Sequence, residues 1–202
     1  MNAEIFLNSL MAYFIIVDPF GITLIFSSLT ENKSAAYKRI MATKAVILSY
    51  IIILLFGFFG TKFLASLGIQ IYSFKIAGGL LLFYTAFHMI VKPGDEMMGK
   101  SKSGDDDISV YPLTIPLMAG PGVLTMTILL FSNTNGNVAS IISVSIAAAV
   151  IYIIAFIFFM LSGRIKRAIG KSGNNIIKRL VGVLLASLSV QFIVDGFKAA
   201  GL

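Results

Sequence analysis

A run of apolar residues from Tyr13 to Val17 meets Asp18, Pro19, Phe20 and Gly21 before the apolar pattern resumes at Ile22. A carboxylate at mid-membrane costs about 3 kcal/mol on insertion scales, so Asp18 needs a partner or a proton. Pro19 has no N–H and clashes with the preceding turn, while Gly21 tolerates almost any backbone angle. A helix is therefore expected to unwind here and free backbone carbonyls and amides. In lipid each freed group costs several kcal/mol unless protein, water or a ligand satisfies it. A second apolar stretch carries the same device without the acid, in Pro116, Leu117, Met118, Ala119, Gly120, Pro121 and Gly122, with Thr125 one turn further on. Pro121 suits the first turn of a restarting helix. The start of such a half-helix presents partial positive charge and unpaired N–H groups, which favour a carboxylate. The chemistry these residues suit is recognition of a small zwitterion, its carboxylate at the helix starts and its ammonium at freed carbonyls or Asp18. The candidate substrate-binding residues are Asp18, Pro19, Phe20, Gly21 and Thr23, with Ala119, Gly120, Pro121, Gly122 and Thr125.

These residues must be held by membrane helices. The chain has 202 residues, 57% of them hydrophobic and 12% charged, which leaves too little polar surface for a soluble domain. Six runs approach the roughly 20 apolar residues that span a bilayer: about 5–28, 45–60, 76–91, 112–131, 139–161 and 180–197. Strand-like alternation is absent, which argues against a barrel. The absence of cysteine removes disulfides, thiolate metal sites and cysteine nucleophiles.

The sequence also repeats itself at a shift of about 102 positions. Pro19 falls on Pro121, Thr23 on Thr125, Tyr50 on Tyr152, Lys62 on Arg164 and Gly68 on Gly170. With one more residue of slip, Lys75 meets Lys178, Gly79 meets Gly182 and His88 meets Gln191. Each unit holds three spans, an odd number, so the second copy must enter the membrane from the opposite side, and inverted repeats of this kind mark transporters. The expected fold is an all-α membrane protein of six transmembrane helices, two inverted three-helix repeats with broken helices in spans one and four. Residues 1–92 form the first repeat, 93–110 a polar linker with Asp105, Asp106 and Asp107, and 111–202 the second repeat.

The formal charge of +7 follows the loops rather than a nucleic-acid surface. Basic residues cluster after span one (Lys33, Lys38, Arg39, Lys44), after span three (Lys92, Lys100, Lys102) and after span five (Arg164, Lys166, Arg167, Lys171, Lys178, Arg179). The positive-inside rule makes loops one, three and five cytoplasmic and puts both termini outside, in a cell (inner) membrane. No basic region precedes the first apolar run, so no cleaved signal peptide is expected. The acidic triplet reads as a solvated loop, loop four (132–137) as a tight turn, and the sequon at Asn32 as an unused one on the cytoplasmic side.

Spans three and six carry small residues, Ala77, Gly78 and Gly79 against Gly182, Ala186 and Ser187, that permit close helix approach. Gly79 and Gly182 suit packing within one copy or between copies of a homo-oligomer. His88 and Gln191 are read as accessory polar or coupling residues, Asp195 as solvated at the end of span six, and Lys75 as snorkelling.

At these motifs the chain resembles the MarC family of integral membrane proteins, which includes small neutral amino acid transporters related to SnatA. The first-span pattern D-P-x-G-N-x-P-x-F is met at Asp18, Pro19, Gly21 and Phe26, with Ile22 in place of the usual Asn and Leu24 in place of the second Pro. The fourth-span pattern P-L-x-I-P-L-x-A-G-P-G is complete from Pro112 to Gly122, and V-Q-x-x-x-D-G is met at Val190, Gln191, Asp195 and Gly196. Residues 76–82 resemble the family's third-span I-A-G-G-x-L-L stretch, while His88 stands where an acid is frequent. The resemblance implies six spans and proton-coupled movement of glycine and alanine. The expected partners are thus a zwitterionic amino acid, a coupling proton and the lipid bilayer, with no cofactor, metal or nucleic acid. A metal or small-solute exporter is the rival reading, but one mid-membrane acid is a thin ligand set for a divalent ion. An intramembrane enzyme needs catalytic groups at convergent spacing, and none is recognisable.

Overall fold

The structure, a computed structural model, describes residues 2–91 and 107–201. Among them it is wholly helical: α1 (Ala3–Val17), α2 (Pro19–Leu29), α3 (Ala35–Ser66), α4 (Ile71–Val91), an irregular wide-turned segment (Ser109–Met118), α5 (Pro121–Ser132), α6 (Val138–Met160) and α7 (Ser162–Ala200). Five stretches are long and apolar enough to cross a membrane: Ala3–Leu29, Ala35–Ser66, Ile71–Val91, Val138–Met160 and Arg179–Ala200; Pro121–Ser132 is a shorter apolar helix.

Local chemistry sets the ends. Asn2 accepts from the Glu4 and Ile5 amides to start α1, Ser34 from the Tyr37 amide to start α3, and Asn137 from the Ser140 amide to start α6. Gly68 at φ +72° follows α3, and Asn135 and Gly136, both at positive φ, form the tight turn expected after α5.

Two expected loops are instead helix. Lys38, Arg39 and Lys44 lie in the first turns of α3, and the backbone from Ser162 to Arg179 belongs to α7. Hydropathy marks where a helix leaves lipid, not where it ends. Lys and Arg are good helix formers, and a helix entering water loses nothing by continuing. At 1.5 Å per residue the 32 residues of α3 reach about 48 Å, well beyond a hydrocarbon core of about 30 Å. Most of the linker, with Asp105 and Asp106, lies outside the described residues. Asp107, at its edge, accepts from the Ser109 hydroxyl and amide and pairs with Lys44 Nζ at 3.0 Å.

The main core is built by α1, α2, α3, the irregular segment, α5 and α6. Tyr13, Phe26, Ile53, Tyr152 and Phe159 are fully buried in it. Phe26 stacks on Phe159 with ring centres 4.5 Å apart, and Tyr50 meets Tyr152 edge to face at 6.2 Å. Each broken stretch packs against helices distant in sequence, α2 on α6 and α7, and α5 on α3 and α4.

Helices α4 and α7 form a second, very close pair. A Cβ on Gly79 would stand 2.8 Å from the Ser189 carbonyl oxygen, one on Gly182 3.3 Å from the Ala86 carbonyl oxygen, and one on Gly196 3.0 Å from that of Tyr72. Gly79 and Gly182 therefore pack within one copy. The contacts recur every seventh residue on both helices, the repeat that keeps one seam facing a partner. Lipid tails are as apolar as leucine, so van der Waals contact across these glycines must supply the attraction.

Gly79→Ala is expected to force the α4–α7 seam apart and to cost about 1–3 kcal/mol, the usual range for overpacking; unfolding of the detergent-solubilised variant at unchanged stability would contradict the seam. The Ser109 hydrogen bonds and the Lys44 pair hold the Asp107 carboxyl down at about 2. A depressed carboxylate stabilises the fold above its unfolded value of roughly 4 and loses that contribution as pH falls toward 2. The pair is exposed, so solvent screening limits it to less than about 1 kcal/mol. Asp107→Asn is accordingly expected to lower the melting temperature slightly at pH 7 and not at all near pH 2.

Candidate functional site

Asp18 is the only residue between α1 and α2, and it serves both. Its backbone lies in the left-handed region at φ 45° and ψ 68°, which asparagine and aspartate tolerate better than other side-chain-bearing residues. Its N–H donates to the Phe14 carbonyl at 3.2 Å, and its carbonyl accepts from Ile22 at 3.1 Å. Its carboxylate accepts from the Gly21 amide at 3.1 Å and so caps α2. The first break is therefore a one-residue corner and not the unwound stretch expected. The cost of a half-buried carboxylate is offset where it arises, at the positive end of the helix that Pro19 begins.

The second break is longer and differently satisfied. The irregular segment contains extended backbone at Tyr111 and Ile115, then Ala119 and Gly120 carry the chain to Pro121. Ala119 donates to the Thr114 carbonyl at 2.8 Å, a wide turn of the π type. The Met118 carbonyl accepts from the buried Tyr152 hydroxyl at 2.6 Å. No side chain caps α5, because Gly120 stands where Asp18 stands in the first break.

The matched threonines behave alike. Thr23 Oγ1 donates to the Pro19 carbonyl at 2.6 Å and Thr125 Oγ1 to the Pro121 carbonyl at 2.8 Å, and both are buried. Each hydroxyl proton is thus committed to the helix that its proline opens. Thr125 also faces Gly78 of α4, whose missing side chain gives it room.

The breaks lie close together. A Cβ on Gly122 would fall 2.5 Å from Leu82 Cδ2 and 3.7 Å from Ile16 Cδ1, so the start of α5 is covered by a buried leucine of α4 and by the residue two before Asp18. Pro121 is exposed and Gly122 half-buried, while Pro19, Gly21, Ala119 and Gly120 are buried and Phe20 is half-buried. Phe20 packs between Phe14, 6.3 Å away, and Phe158, 4.8 Å away. Among the expected site residues the structure joins the two proline breaks and leaves out the polar pair. His88 lies on α4 against Tyr84, ring centres 4.6 Å apart, and Gln191 is exposed on α7 with its amide donating to Asp195 at 2.8 Å. Leu82, Gly78, Ile16 and Tyr152 were not among the expected residues. Tyr152 had a signal beforehand in its match to Tyr50, and Gly78 and Leu82 in the small-residue and I-A-G-G-x-L-L stretch of span three. Among the described residues no three His, Asp or Glu side chains converge on one point.

A family model described as MarC family integral membrane protein matches residues 3–200. The chain belongs to the MarC family. A UPF0056 membrane protein of Archaeoglobus fulgidus is 35% identical over 195 residues, covering 95% of this chain and 91% of the relative. That of Aquifex aeolicus is 32% identical over 202 residues, 96% and 92%. YhcE, a UPF0056 membrane protein of Escherichia coli, is 31% identical over 199 residues, 96% and 92%. No solved structure matches the chain. This MarC-family protein is thus an integral membrane protein with several apolar helices, and its relatives' names specify no substrate.

Two substitutions separate the structural role of Asp18 from any role of its charge. Asp18→Asn keeps a good cap in a tolerated backbone conformation and is expected to change stability by less than about 0.5 kcal/mol, whereas Asp18→Ala loses the cap and costs about 1–2 kcal/mol. Equal melting temperatures for the two variants would show that the cap is not formed.

Proposed function

We propose that this MarC-family protein is a secondary active transporter of small neutral amino acids, glycine and alanine, coupled to protons and working by alternating access. The observation that carries the proposal is the difference between two matched helix starts. In α2 a carboxylate, that of Asp18, accepts from the amide three residues on, Gly21. In α5 the corresponding amide is that of Val123, and the residue in the place of Asp18 is Gly120, which has no side chain. The carboxylate of an amino acid supplies at α5 what Asp18 supplies at α2, with the Gly122 and Val123 amides as donors. Leu82 and Ile16 close over Gly122, which favours a guest with little or no side chain. Asp18 carries the coupling proton or faces the substrate ammonium.

Alternating access needs two units that rock against each other, and several contacts support the reading of residues 1–92 and 111–202 as inverted three-helix repeats. In the α4–α7 seam Gly79 meets Ser189 and Gly182 meets Ala86, pairs that exchange when 103 is added to one number and subtracted from the other. Tyr50 touches Tyr152, its own counterpart. On this reading the irregular segment and α5 make the sixth crossing, and both termini share the side opposite the basic segments, outside the cell membrane.

Proteoliposomes with an inward acid gradient should take up labelled glycine and alanine saturably, and a protonophore should abolish accumulation. Absence of saturable flux for either amino acid sinks the substrate assignment. Asp18→Asn should lose gradient-driven accumulation by at least about tenfold while keeping its fold, since a general loss of about 1.4 kcal/mol in a transport step is tenfold.

A further inference from the structure

We propose that the outward face of α7 is the seam along which two copies of this chain pair in the membrane. The opposite face of α7 is already occupied by α4, through Gly182, Ser189 and Gly196. Half a helical turn away stand Leu180, Leu184, Ser187, Gln191, Val194 and Lys198, separated by four, three, four, three and four residues. That spacing is the a/d repeat of a left-handed coiled coil. All six are exposed, Leu180 at 63%, Leu184 at 53% and Val194 at 40%.

An exposed apolar seam on its own is what lipid wants, and the centre of this one is not apolar. The spanning part of α7, Arg179–Ala200, is 22 residues or about 33 Å long, which puts Ser187 about 12 Å and Gln191 about 18 Å from its start, inside the hydrocarbon. Ser187 donates to the Val183 carbonyl at 3.0 Å, and one Gln191 N–H goes to Asp195. Among the described residues the other amide N–H and the amide carbonyl have no partner, and acyl chains offer none. Polar side chains at this depth turn toward protein.

A second copy of the same chain is the partner that fits. Inserted in the same orientation, it brings an identical face to an identical depth, and a carboxamide is self-complementary, with a donor and an acceptor to exchange with its twin across a two-fold axis. Two turns further out, Lys198 lies exposed near the end of the span, where its long side chain carries the charge into water. A single polar side chain among apolar ones at such a seam also fixes register. The outer face of α4, with Leu80, Leu81, Tyr84 and Phe87 exposed, offers aromatic and aliphatic surface that lipid satisfies.

The chain's lack of cysteine makes the test direct. Single-cysteine variants of the full chain in dilute proteoliposomes, treated with a mild oxidant, should form covalent dimers at Leu184→Cys, Ser187→Cys and Val194→Cys several-fold more than at Val183→Cys and Val190→Cys, which are equally exposed but lie off the seam. Gln191→Leu should weaken dimerisation, measured by energy transfer between labelled copies over a lipid dilution series, by about three- to tenfold. Uniform cross-linking, preferential cross-linking at Leu81→Cys on α4, or undiminished dimerisation of Gln191→Leu would each overturn the seam.

Discussion

Every break in a membrane helix creates polar backbone groups that water cannot reach, and the arrangement of this protein follows from how the two breaks are satisfied. At the first, one residue does the work. Asp18 accepts the last turn's geometry, opens the next helix and caps it with its own carboxylate. At the second, the protein spreads the task. A wide turn absorbs the Ala119 amide, and a tyrosine from α6 reaches in to the Met118 carbonyl. The start of α5 is left to its backbone alone. The proposed function rests on that contrast, because a helix start without an acid of its own suits an acid brought by a ligand.

Positioning these breaks demands close packing from helices that gain nothing by hiding from water. The seam between α4 and α7 provides it through glycines that admit a neighbouring carbonyl to within van der Waals distance. Gly78 and Leu82 then carry α4 onto α5, with Thr125 beneath one and Gly122 beneath the other. Movement of α4 and α7 as a pair therefore cannot leave the second break unchanged. In the proposed transport cycle this is the mechanical link between the outer helices and the substrate.

Much of this was legible in the sequence because lipid imposes simple rules. Long apolar runs gave the helices, the punctuation of Asp18–Pro19 and Gly120–Pro121 gave the breaks, and small residues at matching positions gave the close pair. What was not legible has a physical cause in each case. The extent of α3 and α7 was missed because helices do not stop where hydropathy falls. The one-residue corner at Asp18 was missed because composition cannot distinguish a capped turn from an unwound strand; that choice depends on whether a carboxylate folds back on its own helix. His88 and Gln191 hold matching repeat positions, and such a match fixes a shared helix face without saying which way it looks. Both face away from the α4–α7 seam.

The matched positions that differ are therefore of two kinds. Asp18 against Gly120 is a difference inside the protein, where a missing side chain changes what the backbone can bind. Gln191 against His88 is a difference on the outside, where the side chain changes what the surface can meet: an amide donating to Asp195 on α7, and an imidazole lying against Tyr84 on α4. In the proposed cycle the proton gradient sets the direction of net movement, so the cycle needs a group that carries the proton. Asp18, held at the one-residue corner between α1 and α2, is where a titratable side chain and a break in the backbone coincide, which is why the proposed function gives it the proton.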